Sequence, residues 1–203
     1  MNFAKIKDIN LKDKETWENK IFLTFDLDWC SDEVLSHTLD VIEQHNLQAT
    51  FFVTHNTALL ARMRENPNIE LGIHPNFNFL LLDSFAKSGL KFDCNIFIPF
   101  DSQIALKPWK HWNDNIIKIP YFWEDDVHCI YRWSWDINKF LQYQGIKVFD
   151  FQPIHIYLNA EILDRYDNTR PYLQDYGKLN KFVNNDIHGI RYFFSNLIQG
   201  TNT

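Results

Sequence analysis

Ile21-Phe22-Leu23-Thr24-Phe25-Asp26 is a short apolar run, rich in β-forming residues, that ends in an acid. It reads as a buried strand. Just beyond it, Ser31 stands where a helix cap is wanted, with Asp32 and Glu33 in the first turn. Val34, Leu35, Thr38, Leu39 and Ile42 then recur at helical spacing as far as His45-Asn46. Ala49–Val53 reads as a second strand. Asn56 is a candidate cap for a second helix that stops before Pro67, and Ile69–Ile73 is a third strand. Residues 21–73 thus alternate β-α-β-α-β with short joins. That pattern predicts a parallel sheet with right-handed crossovers.

After His74 the pattern loosens. Leu80–Ser88 reads as a helix ending at Gly89, and Lys91–Ile98 as a strand. Ile116–Ile119 and Val127–Tyr131 read as further strands, and Ser134–Gln144 as a helix ending at Gly145. Val148–Phe151 and Ile154–Leu158 read as strands, with short helices over Ala160–Tyr166 and Ile190–Ile198. Residues 1–20 are polar and mixed, and read as a lead-in to a single domain spanning 1–203.

Composition narrows the function classes. Of 203 residues, 45% are apolar and 23% charged, which is enough apolar material for a real core and excludes disorder. Aromatics reach 16%, and rings both fill cores and line carbohydrate clefts. The net charge of −6 gives no basic field for generic nucleic-acid binding. Cys30, Cys94 and Cys129 are widely spaced, form no Cys-x-x-Cys pair and fit reduced thiols. Neither a signal-peptide core nor an apolar run of membrane-spanning length is visible, so the expectation is a soluble, cytoplasmic chain.

The chemistry collects at strand ends. The first strand leaves through Phe25-Asp26-Leu27-Asp28-Trp29, two carboxylates at the edge where parallel α/β proteins bind ligands. Taken alone, the pair is equally a helix cap beside a solvated acid. The third strand ends in Gly72-Ile73-His74-Pro75-Asn76-Phe77-Asn78, which brings His74 to the same edge. Imidazole with carboxylate makes a set of ligands for Zn²⁺ or a similar divalent ion, and Asn78 offers a further, poorer donor. His155, in Pro153-Ile154-His155-Ile156-Tyr157-Leu158-Asn159, is either a satisfied core histidine or a general acid near a metal. Glu124-Asp125-Asp126 is either a solvated turn or a set of acids supporting the site.

Together these pieces resemble the polysaccharide deacetylase (NodB-homology) superfamily, and most its WbmS-like branch. The resemblance rests on Thr24–Asp28, Ala49–Thr54, Glu70–Asn78 and Pro153–Asn159, and covers most of residues 20–160. It implies a distorted, incomplete (β/α) barrel and metal-dependent removal of acyl groups from N-acylated sugars. On that pattern Asp26 matches the catalytic base, Asp28 and His74 match metal ligands, and His155 matches the late catalytic histidine. The metal implied is Zn²⁺, with Co²⁺, Ni²⁺ or Mn²⁺ as substitutes. Trp29, Phe77 and Trp123 are candidates to stack on a sugar, and Asp125 to contact it. A homodimer is a further expectation, to cover an open barrel flank.

Two features depart from the family pattern. Asn78 stands where a second metal-binding histidine is usual. No arginine lies between Arg64 and Arg132, and the 78–91 link is too short for the usual strand and helix. The chain therefore also reads as a shortened member, inactive but able to bind a glycan. A third reading is a haloacid dehalogenase-like phosphohydrolase, with Asp26 as nucleophile and Mg²⁺ as cofactor. That reading gives His74 and His155 no role.

Overall fold

The computed structural model describes residues 2–28, 30–74, 89–112, 116–185 and 188–200. Among these, the strands in chain order are β1 (Asn2–Ala4), β2 (Lys20–Asp26), β3 (Ala49–Val53), β4 (Ile69–Ile73), β5 (Phe92–Phe97), β6 (Trp109–Lys110), β7 (Ile117–Tyr121), β8 (Trp123–Glu124) and β9 (Lys147–Phe151). The larger sheet runs β4-β3-β2-β9-β8, and every pairing in it is parallel. Ile21 to Phe25 of the central strand have no exposed surface, as a strand covered on both faces requires.

A second sheet, β5-β7-β6, continues the curve, with β7 leading directly into β8. Among the described residues no pairing joins β4 to β5. The barrel is therefore distorted and incomplete, with its gap on the flank that follows the third strand of the sequence pattern. The expected Leu80–Ser88 helix lies outside the described residues.

The helix Asp32–Gln44 buries Val34, Leu35, Thr38, Leu39 and Ile42, the five positions that the spacing selects. Ser31 holds the cap position but makes no capping bond, and the second helix starts only at Leu60. Thr57, rather than Asn56, organises that start. Its hydroxyl accepts from Leu59 N at 3.1 Å and donates to Asp32. No described helix is long and apolar enough to cross a membrane.

Four expectations are corrected. Ile154–Leu158 is not a strand but part of the helix Pro153–Leu158, and Val127–Tyr131 belongs to the helix Asp125–Tyr131. Pro153 occupies the first helical turn, where its missing N–H costs nothing. Every residue of that helix is buried, so no polar face exists to mark the helical period. The Ser134–Gln144 helix contracts to Asn138–Leu141.

Nor is the N-terminal segment a mere lead-in. β1 pairs with the first half of β2, Asn2 opposite Lys20 to Ala4 opposite Phe22, while β3 takes the second half. Ile6, Ile9 and Trp17 are buried in the core. Ile6 N donates to Thr50 Oγ1 at 3.2 Å and Lys7 N to Glu70 Oε2 at 3.1 Å, which fastens the segment across β3 and β4. Ile6→Ala should therefore cost about 2–5 kcal/mol. Urea denaturation checks this, and a loss below about 0.5 kcal/mol would make the segment a surface appendage after all.

Candidate active site

Asp26 ends β2, and the chain then turns sharply. Asp28 has φ +42, a left-handed conformation that aspartate tolerates better than most residues. Leu27 N donates to Phe52 O at 3.2 Å and Cys30 N to Leu27 O at 2.9 Å, which pins the turn. His74 follows β4 and is held by its own backbone N–H, which donates to Val53 O at 3.1 Å. The two strand ends then meet. His74 Nε2 lies 3.2 Å from Asp26 Oδ2, and His74 Nδ1 lies 3.9 Å from Asp28 Oδ1. The imidazole sits between two carboxylates, as the strand order predicts.

His155 arrives from the helix after β9. Its Nδ1 lies 2.9 Å from Asp125 Oδ1, and Asp125 Oδ2 accepts from Gln152 N at 2.7 Å. His155 and Asp125 are both buried, at 1% and 0% side-chain exposure. Burial alone would lower the His155 pKa, but the facing Asp125 carboxyl outweighs it and the net shift is upward. The other ring nitrogen, Nε2, is buried without a hydrogen-bond partner among the described residues.

Beneath these groups lies a cleft of about 480 Å³. One register row crosses its wall. Glu70, Thr50, Thr24, Asp150 and Glu124 are successive partners on β4, β3, β2, β9 and β8. Thr50 donates to Glu70 at 2.8 Å, and Thr24 to Asp150 at 2.6 Å. On the opposite wall Lys118 pairs with Asp93. The carboxyl groups crowd one another. Burial, then the Asp28, Glu124 and Asp125 charges, push Asp26 up to about 8. Burial, then Asp126, Asp150 and Asp125, push Glu124 up to about 9. Asp150 is raised well above the carboxylate range, chiefly by burial and then by Asp26. Among the described residues no set of three His, Cys, Asp or Glu side chains is grouped as a metal cage. Asp28 and His74 are the carboxylate and imidazole that face each other most openly, at 27% and 36% side-chain exposure.

Two expected sugar contacts are corrected. Trp123 is fully buried, stacks on Phe193 at 4.6 Å and donates Nε1–H to His128 Nδ1 at 3.0 Å. Its neighbour Glu124 points the other way along the strand and lines the cleft. Asp125 is buried against His155 and has no exposed side-chain surface to offer a sugar. Trp29, Phe77 and Asn78 lie outside the described residues. The sequence reading passed over Asp150 and named Glu124 only within the acidic triple Glu124-Asp125-Asp126. Alternation along Lys147–Phe151 was the available signal for Asp150, but five buried residues in a row conceal it.

Comparison with known proteins identifies the family. The WbmS-like polysaccharide deacetylase family model matches residues 23–83 and 80–170. The crystal structure of WbmS from Bordetella bronchiseptica, a candidate polysaccharide deacetylase involved in O-antigen biosynthesis, is 38% identical. It superposes with a TM-score of 0.92, and the match covers 98% of each chain. No curated protein matches. The chain belongs to the WbmS-like polysaccharide deacetylase family. Because both chains are matched almost end to end, this one is not a shortened copy of that relative.

The raised carboxyl groups have a measurable consequence in the metal-free protein. Below pH 4.5, Glu124 holds its proton in both the folded and unfolded chain. Above that, the unfolded chain releases the proton while the folded one keeps it up to about 9, so stability falls as pH rises through this window. Glu124→Gln removes that loss. With a chelator present, its melting temperature relative to the parent should climb by a few degrees between about pH 5 and about pH 8. A constant difference would show that Glu124 is ionised in the fold.

Proposed function

We propose that this member of the WbmS-like polysaccharide deacetylase family is a metal-dependent hydrolase that removes an N-acetyl group from a sugar. The observation that carries the reading is the meeting of Asp26, Asp28 and His74 at one sheet edge, with the Asp125–His155 pair beside it. The donor chemistry fits a divalent ion. Asp28 and His74 would hold it, and an Asp/His set suits Zn²⁺, Co²⁺, Ni²⁺ or Mn²⁺. When bound, such an ion supplies Lewis-acid polarisation of the acyl carbonyl.

The chain's own groups supply the proton transfers. With Nε2 turned to Asp26, the His74 ring leaves Nδ1 on the Asp28 side, so Asp26 also orients a ligand. Asp26 takes a proton from the attacking water, and burial makes it a stronger base than an exposed aspartate. As the C–N bond breaks, the nitrogen needs a proton. His155 Nε2 is the donor, because Nδ1 is committed to Asp125. The products are acetate and an amino sugar. Glu124 and Asp150 remain outside this sequence of proton transfers.

Three substitutions separate the roles. Asp28→Ala should lose both bound metal and turnover. Asp26→Asn and His155→Ala should keep most of the metal and lose turnover by about 10²–10⁴-fold. The assay is acetate release from N-acetylated sugars, beside metal analysis of each variant. If the parent with added Zn²⁺, Co²⁺, Ni²⁺ or Mn²⁺ releases no acetate from a broad substrate panel, the chain is a glycan binder and the proposal fails.

Asp125 should reveal itself through pH. Its carboxyl holds the His155 pKa up, so Asp125→Asn lets that pKa fall. The acid form of His155 then disappears earlier, and the alkaline limb of the kcat profile should move to lower pH. An unmoved limb would separate His155 from the proton donor.

A further inference from the structure

Of the cleft carboxyl groups that the deacetylation scheme does not use, Glu70 and Asp93 are held by Thr50 and Lys118, which leaves Asp150 and Glu124. Asp150 and Glu124 are register partners on β9 and β8, and both line the cleft that contains Asp26. Thr24, the β2 partner of Asp150, is two residues before Asp26 on the same strand face, so this row lies one layer deeper than the base. Interiors of α/β barrels are ordinarily filled by branched apolar side chains. Here the layer presents acids and hydroxyls to an open volume.

Asp150 is the informative member. Its residue surface is only 9% exposed, yet it borders the cleft. Oδ1 accepts the Thr24 hydroxyl at 2.6 Å, and among the described residues no protein donor reaches Oδ2. A buried acceptor that opens onto a cleft without a protein donor is matched by a donor from solvent or ligand. Glu124 Oε2 accepts a long hydrogen bond from the Tyr121 hydroxyl, at 3.4 Å, and its carboxyl also shares a hydrogen bond with the neighbouring Asp126 carboxyl. A carboxyl oxygen accepts from a hydroxyl whether or not the group carries its own proton, so the pairing survives the crowding of acids.

We propose that Asp150 and Glu124 form a subsite for the hydroxyl groups of a single sugar unit seated end-on in the cleft. This rests on the deacetylase reading for the identity of the ligand as an N-acyl sugar. The volume of about 480 Å³ is that of a small-molecule site, within the roughly 300–1,000 Å³ usual for one. A unit that reaches Asp150 passes Asp26 and enters the barrel. A unit tethered to neighbours on both sides cannot do so.

The test is binding to the full-length protein with added Zn²⁺, read by NMR titration. The probes are N-acetylglucosamine, N-acetylgalactosamine, N-acetylmannosamine, a pentamer of N-acetylglucosamine, and acetamide as the hydroxyl-free control. At least one monosaccharide should bind about tenfold tighter than acetamide, the size of one to two hydrogen bonds. Asp150→Ala and Glu124→Ala should each remove most of that margin and change acetamide affinity by less than about twofold. Asp150→Asn, which keeps an acceptor for Thr24, guards against a folding defect, and melting curves accompany every variant. The pentamer should bind no tighter than the monomer. Monosaccharides that bind no better than acetamide, variants that weaken both equally, or a pentamer that binds tenfold tighter would each overturn the subsite. Sugar binding that depends on Asp150, with no acetate released from any substrate, would defeat the deacetylase reading and leave the subsite standing. Acetate release with KM unchanged in both alanine variants would do the reverse.

Discussion

The parallel pairing of β2 with β9 is the contact on which the rest depends. It joins Ile21–Phe25 to Lys147–Phe151, segments more than a hundred residues apart in the chain. Closing so long a connection costs entropy, and the return is burial of the central strand on both edges and both faces. The same register also assembles the chemistry. It sets Asp150 beside Thr24, and the helix that follows β9 then delivers His155 to the end of β2. A slip of one residue would turn Asp150 to the opposite face of the sheet and displace His155.

Local order was legible where a helix keeps one wet face or where a strand is a short apolar run bounded by turns. The helix Asp32–Gln44 announces itself through its buried stripe, and β2, β3 and β4 through short apolar runs between turns. Because those strands are parallel, their C-terminal ends share an edge. That is why Asp26, Asp28 and His74 could be placed together before any contact was known. Legibility failed for a short helix buried on all sides. The helix Pro153–Leu158 has no polar face, so its residues looked like a strand. Trp123 and Glu124 form a two-residue strand, too short to reveal that one side chain faces the core and the other the cleft. The N-terminal segment misled for a related reason. Its polar residues are at the surface, while Ile6, Ile9 and Trp17 reach the core one at a time, without a period.

The acids inside the barrel are tolerated because of what lies on the other side of the same strands. Asp93 has Lys118 and Asp125 has His155, but among the described residues Asp26 and Asp28 share the His74 imidazole, Asp150 has the Thr24 hydroxyl, and Glu124 has a long contact from the Tyr121 hydroxyl beside the Asp126 carboxyl. Such crowding destabilises a fold unless another term offsets it. The offset is built into the alternation. Phe25 stands between Thr24 and Asp26, Trp123 precedes Glu124, and Phe149 and Phe151 flank Asp150. These four rings are fully buried. Trp123 stacks on Phe193 at 4.6 Å, and Phe25 and Phe151 meet Phe194 at 5.9 and 5.1 Å, so the helix Ile190–Gly200 closes over their face. Aromatic rings bury more area per residue than any other side chain and gain a further ~0.5–1.5 kcal/mol per well-placed pair. Among the described Phe, Tyr and Trp residues only Phe52, Phe92 and Tyr121 bring rings to the cleft, so most of the aromatic excess lies elsewhere. It anchors, from behind, strands whose front face has been given over to carboxyl groups.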